Sequence, residues 1–321
     1  MPPRRNDSGW IALAWILNLA GLGGILLVLG IYFTRQSAYA APPPQTDLNH
    51  TSAHTPTIFP TSYYLPTVTR NPRSTEIVVE TPTPFVLPNG FHPPIIGYSV
   101  SGRPIELYTF GNGRRQRAIV AGIHGGYEWN TIALADQLIL YLNDHPEIVP
   151  EDVTLFIVRN LNPDGDARDH GIDGRVNDHG VDLNRNFPVN WAREWDRSGC
   201  WNYGPTTGGP VAASEPETRA MMAFLLSHNI EALISYHSAA LGIFPGGEPW
   251  DENSIRFAEA LDEVTTYPFP PIDTGCKFTG TLADYAVSLG AAAVDMELTN
   301  HRDTDFKMNL KALEVLLNFE P

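Results

Sequence analysis

The chain has 321 residues, enough for one large domain or two small ones. Hydrophobic residues make up 43% of it, which supports a packed core. A formal net charge of -15 argues against a nucleic-acid partner, which needs a basic surface.

The first element is an apolar run from Trp10 to Phe33, "WIALAWILNLAGLGGILLVLGIYF", with no charged residue. Crossing a bilayer core takes roughly 20 residues, so this run predicts a membrane helix. Arg4 and Arg5 precede it and Arg35 follows. That bias keeps the amino terminus inside and places the rest of the chain outside the cytoplasm. The sequence "SAYA" ending at Ala40 offers a competing reading as a cleaved signal peptide. The anchor is preferred because the run exceeds an h-region of about 7–15 residues. From Ala41 to about Pro93 the chain is rich in Pro, Thr and Ser, as in "APPPQTDLNHTSAHTPT". Such composition predicts an extended stalk rather than packed structure. "NHT" at Asn49 matches the short N-glycosylation pattern.

Beyond Gly97 short apolar runs alternate with amphipathic ones. Strands are expected over Arg117–Ile123 "RAIVAGI", Val153–Val158 "VTLFIV", Glu231–Tyr236 "EALISY" and Ala291–Met296 "AAAVDM". Helices are expected over Thr131–Leu142, Ser214–Ser227, Ile255–Val264, Leu282–Leu289 and Phe306–Leu317. Ser214 and Glu217 have the spacing of a capping box, with Pro216 in the first turn. Alternation of strands and helices predicts an α/β layer fold with a largely parallel sheet. Cys200 and Cys276 are either a disulfide, which an oxidising compartment permits, or two buried thiols.

In such sheets ligands bind beyond the carboxyl ends of strands. Four chemically capable groups fall there: His124 after the first run, "RNLNPDG" after the second, His237 after the third and Glu297 after the fourth. His124, Glu128 and His237 offer two imidazoles and a carboxylate, the donor set of a catalytic zinc with an open position for water. Gly125 and Gly126 allow the sharp exit from the strand that such convergence needs. A single His at a strand end also reads as a hydrogen-bonded core residue. Zinc lowers the pKa of its water toward about 7, and a carboxylate off the metal then serves as general base. Glu297 is the candidate, the alternative being a strand-end ion pair with Arg302. In "GRVNDHGVDLNRNFP", Arg185 has the planar fork that suits a carboxylate, and Asn184 adds an amide donor. Arg175 is placed to face a developing oxyanion. No HExxH, GxSxG or Walker loop occurs, and "GNGRRQ" at Gly111 reads as the surface of a hairpin turn.

The segments "SVSGRPIELYTFG", "GIHGGYEW", "NLNPDG", "GVDLNRNFP", "SEPET", "ISYHS" and "DMEL" occur in the order of the zinc metallocarboxypeptidases of the carboxypeptidase A type, which the chain resembles from about Ile96 to its end. In its short domain it looks most like the bacterial murein peptide amidase branch. The resemblance implies a twisted mixed sheet of about eight strands flanked by helices, with one Zn2+ per domain. It implies His124, Glu128 and His237 as zinc ligands and Glu297 as general base. Asn184 and Arg185 would hold the substrate's free carboxylate and Arg175 the oxyanion. Expected divisions are a cytoplasmic tail over 1–9, an anchor or signal over 10–33, a linker over 34–93 and a catalytic domain over 94–321.

Two departures stand out. The family spaces its first ligands H-x-x-E, whereas this chain has H-x-x-x-E, and the next acid is Asp136. The family's substrate-capping tyrosine has no counterpart in "DTGCKFTGTLADY", where Cys276, Lys277 and Phe278 stand. An acid in the specificity pocket, such as Asp284 beside Ala283, is not placed by sequence. The expected function is an extracytoplasmic, membrane-anchored zinc carboxypeptidase acting on peptides with a free C-terminal carboxylate, with cell-wall peptides as natural substrates. The rivals are an aspartoacylase-type deacylase of N-acyl amino acids, which shares a "DLNR" element, and a peptide-binding module without catalysis.

Overall fold

The computed structural model describes Phe85, Leu87 and residues 92–321. The expected anchor and most of the expected stalk lie outside these residues. Among the described residues no helix is long and apolar enough to cross a membrane.

Seven strands form one sheet: β1 (Ile95–Tyr98), β2 (Pro104–Gly111), β3 (Arg115–Val120), β4 (Val153–Val158), β5 (Ile230–Ser238), β6 (Ile243–Pro245) and β7 (Ala292–Leu298). Their spatial order is β1-β2-β4-β3-β5-β7-β6. The four central strands, β4, β3, β5 and β7, run parallel. β1, β2 and β6 are antiparallel to their neighbours. The sheet is therefore mixed, with seven strands among the described residues instead of about eight, and is parallel only at its centre. The "GNGRRQ" segment is not a hairpin turn. It joins β2 to β3, and β4 lies between those two strands.

Helices cover both faces. α1 (Trp129–Asp144), α4 (Glu252–Asp262) and α6 (Phe306–Asn318) bury Leu138, Phe257 and Leu316 against Ile119, Ile234 and Met296. α3 (Pro216–Ser227) and α5 (Leu282–Ser288) bury Met221, Phe224 and Leu282 against Val120, Leu233 and Ala293. The short α2 (Pro163–Arg168) follows β4 and is capped by the Asn162 side chain. Cover on both faces explains why β4 is buried at every position and reads as a continuous apolar run.

The expected capping box does not form. α3 begins at Pro216 after Glu215, with no side-chain cap. Glu217 instead accepts from the Val100 backbone N–H at 3.0 Å and from Asn177 Nδ2 at 3.1 Å. Tertiary partners have taken the carboxylate that local chemistry would have used.

Successive strand residues alternate between faces. Leu233, Ser235 and His237 on β5 thus share a face with Ala293, Asp295 and Glu297 on β7, since Leu233 and Ala293 belong to the core beneath α3 and α5. The register pairs Ser235 with Asp295 and His237 with Glu297. This face ends as a polar floor at the carboxyl ends of the strands.

Arg117 anchors the opposite end of the sheet. It is wholly buried, pairs with Glu231 at 2.6 Å, and donates to Leu316 O at 3.0 Å and Phe319 O at 2.7 Å. Removing a buried charge network typically costs about 2–4 kcal/mol. Arg117→Met is therefore expected to lower the free energy of urea unfolding by that amount. A change within about 0.5 kcal/mol, as at a neutral surface site, would contradict this role.

Candidate metal centre

His124 follows β3 on a tight turn. Gly125 has φ +46 and Gly126 has no room for a side chain, as a Cβ there would lie 2.1 Å from Asp169 O. Gly125–Glu128 form a 3-10 turn that runs into α1. Thr131 Oγ1 closes the turn by donating to Glu128 O at 2.8 Å and accepting from Gly122 N at 3.1 Å. This turn absorbs the extra residue of H-x-x-x-E and returns the Glu128 carboxylate to His124. Asp136 does not compete, because it pairs with Arg159.

His124 Nδ1 lies 2.8 Å from Glu128 Oε1 and 3.2 Å from His237 Nδ1. His237 Nδ1 lies 3.2 Å from Glu128 Oε2. The donor atoms of the three residues fall within 4.8 Å of one another, and all three residues are buried. The far nitrogen of each ring is held as well. His124 Nε2 meets Asp182 Oδ1 at 3.1 Å, and His237 Nε2 meets Ser235 Oγ at 3.0 Å. Holding Nε2 in this way turns both Nδ1 lone pairs inward, as metal-binding histidines require. Two nitrogens and a carboxylate with anchored outer partners fit zinc chemistry.

Opposed effects set the charges. Burial alone would raise the Glu128 carboxyl, but His124 and His237 outweigh it and hold it below the usual range. Burial would push His237 down, yet Asp295 and Glu128 hold it well above its ordinary value. Asp182 is also held low, because Arg175 and His124 overcome the cost of its burial.

A cavity of about 330 Å³ opens over these groups. Arg175 lines it, buried, with Nε 3.0 Å from Asp182 Oδ2 and Nη1 3.4 Å from Glu128 Oε1. Its guanidinium lies over the Trp201 ring. Arg185 is buried in the wall, flanked by Trp195 and Phe278. Its Nε has no hydrogen-bond partner and it makes no ion pair among the described residues. Asn184 Nδ2 donates to Asp295 Oδ2 at 3.1 Å and also lies 3.4 Å from His237 Nε2. Glu297 also faces the cavity with Oε2 buried and unpartnered, and no ion pair with Arg302 forms. Burial pushes its carboxyl up to about 8, with the Glu128 charge adding to the effect.

All seven residues singled out in the sequence thus meet at one cavity. Cys200 and Cys276 form a disulfide on its wall, which settles the alternative left open above. Lys277 is exposed and Asp284 accepts from Gly247 N at 2.7 Å; neither lines the cavity. Sequence reasoning missed Asp182, Ser235, Asp295 and Trp201. Asp182 lies inside "GVDLNRNFP", and the two-residue period of β7 puts Asp295 on the same face as Glu297.

The chain belongs to the zinc carboxypeptidase family: the family model described as Zinc carboxypeptidase matches residues 87–314. The fold is similar to murein-tripeptide amidase from Escherichia coli O157, at 22% identity and TM-score 0.53, over 74% of this chain and 94% of that one. It is similar to bovine thrombin-activatable fibrinolysis inhibitor, solved with tick carboxypeptidase inhibitor, at 20% identity and TM-score 0.56 over 70% and 88%. Carboxypeptidase A from Helicoverpa armigera gives 22% and 0.56 over 70% and 66%. No curated protein matches at a significant level. The chain is a metallocarboxypeptidase-type hydrolase, and zinc is the family's metal.

The raised His237 means that metal must displace a proton to bind. Zinc affinity is therefore expected to fall as pH falls through the ligand's titration, with proton release visible by calorimetry in buffers of different ionisation enthalpy. Asp182→Asn removes the charge that orients His124, and affinity should drop about 10–100-fold. Unchanged affinity in a folded variant would show that Asp182 does not orient the ligand.

Proposed function

We propose that this member of the zinc carboxypeptidase family is a membrane-anchored exopeptidase working outside the cytoplasm. It hydrolyses the amide bond before a residue with a free carboxylate, and cell-wall peptides are its natural substrates. The uncharged Trp10–Phe33 run and the Pro/Thr-rich stretch after it support the location, with the division into tail, anchor, linker and catalytic domain given above. The likeness to a murein-tripeptide amidase supports the choice of substrate.

One observation carries the catalytic reading. The same cavity holds the candidate ligands, a buried guanidinium with no anionic partner and a buried carboxylate oxygen with no donor. Leaving such groups unpaired is costly, and a substrate with water satisfies both. In this reading His124, Glu128 and His237 hold the zinc. Zinc bound there supplies a Lewis acid that polarises the scissile carbonyl and acidifies water. Arg185, with Asn184 beside it, takes the substrate carboxylate and so fixes which bond is cut. Glu297 accepts the proton of the attacking water as the carbon–oxygen bond forms, then gives it to the leaving amine as the carbon–nitrogen bond breaks. Arg175 faces the oxygen on which negative charge develops. A binding module would have no use for the unpartnered Glu297.

Glu297→Gln is expected to lower kcat by about 10²–10⁴ while zinc stays bound at one per chain. Full activity in that variant would remove Glu297 from the chemistry. The general base works unprotonated, so kcat/KM should fall as pH falls. The limb should lie below the value of about 8 that burial gives Glu297, because a divalent cation nearby favours the carboxylate. Arg185→Gln should lower kcat/KM about 30-fold or more, mostly through KM, and should abolish discrimination against amidated C-termini. Equal cleavage of free and amidated ends by the wild type would overturn the carboxypeptidase reading.

A further inference from the structure

Asp295 stands in the cavity without a place in the chemistry above. It lies two residues before Glu297 on the same face of β7, so it forms the floor about 6–7 Å deeper than the general base. Its side chain is 17% exposed. Oδ2 accepts from Asn184. Oδ1 is buried and has no hydrogen bond. The nearest cationic group to Oδ1 is His237 Nε2 at 3.4 Å, beyond good hydrogen-bond distance and already engaged with Ser235.

The surroundings of this carboxylate are apolar on one side. Phe244 is its register partner on β6 and packs edge-on against Phe278 at 5.4 Å between ring centroids. Leu241 adds to the same wall. Arg185 lies over the other side of the pair, 5.1 Å from the Phe278 ring. No ion pair joins Arg185 to Asp295 among the described residues, although each stands in the other's field. The cavity therefore offers a buried guanidinium without an ion pair and a carboxylate oxygen without a hydrogen bond, with an aromatic wall between them.

We propose that Asp295 selects the residue released by cleavage, favouring one that carries an ammonium or guanidinium group at the end of an aliphatic stem. The inference rests on the carboxypeptidase reading and deepens it. The α-carboxylate of that residue goes to Arg185. The stem lies against Phe244 and Phe278, as methylene chains do along apolar surface. The cation reaches Asp295 Oδ1 and supplies the missing donor. An apolar side chain would leave that oxygen buried and unpaired, and an acidic one would oppose its charge.

The test is a panel of otherwise identical peptides ending in Lys, Arg, Leu or Glu, cleaved by the zinc-loaded full chain. Lys or Arg ends are expected to exceed Leu in kcat/KM by at least about tenfold, with Glu lowest. Asp295→Asn, which keeps shape and removes charge, should erase that preference by lowering kcat/KM for Lys and Arg ends to the level of the Leu end, with zinc still bound at one per chain. Binding to the Glu297→Gln protein, read by calorimetry, should show the same order without turnover. Cleavage of Leu or Glu ends as well as Lys ends by the wild type overturns the assignment but leaves the carboxypeptidase reading intact. An equal loss on all substrates in Asp295→Asn, together with loss of zinc, also overturns it and makes Asp295 a group that only orients His237. No cleavage of any peptide by the zinc-loaded wild type removes the underlying reading, and the assignment with it.

Discussion

Two buried imidazole nitrogens that face each other across 3.2 Å, with one carboxylate shared between them, form a cluster that needs a cation. Burial of polar groups is costly unless they are paired, and the three inner groups compete for the same space. Asp182, Ser235 and Asp295 surround the two rings and add negative charge or acceptors from outside. Such an arrangement is unfavourable for a bare protein and favourable around a divalent metal. The rest of the site is built outward from that constraint.

The sheet meets the constraint by register. β5 and β7 lie side by side and parallel, so His237 and Glu297 stand level at the open ends of their strands, with Ser235 and Asp295 one step below. β3 brings the third element, a glycine turn that no other residue type could pack against the Asp169 carbonyl. The loops that wall the cavity are tied across by the Cys200–Cys276 bridge, which joins segments 76 residues apart. The geometry of the candidate ligands thus rests on strands and on a short tight turn, while part of the cavity wall is made of linked loops.

Much of this was legible in the sequence, because strand periodicity and metal chemistry both leave local marks. β4 has the residues expected, and the helix over Thr131–Leu142 is present with two added residues at each end. All three candidate ligands converge, including Glu128, whose irregular spacing is resolved by a 3-10 turn that sequence spacing alone does not reveal. What was not legible depended on distant partners. The Ser214–Glu217 box failed because Val100 and Asn177 claim Glu217. The "GNGRRQ" segment was misread because β4 inserts between the strands it joins. Asp295 was overlooked and Asp284 weighed in its place: strand period put Asp295 on the face of Glu297, but the pairing of β7 with β5 and β6 was needed to bring that face into the cavity.

The central claim is that His124, Glu128 and His237 hold one zinc ion through the inward-facing nitrogens. Diffraction from crystals of the zinc-loaded protein, recorded on both sides of the zinc absorption edge, tests it most directly. The account predicts a single anomalous peak bonded to both Nδ1 atoms and to the Glu128 carboxylate, at about 2.0–2.2 Å from each. A peak elsewhere, or none at this cluster in zinc-saturated crystals, would contradict it.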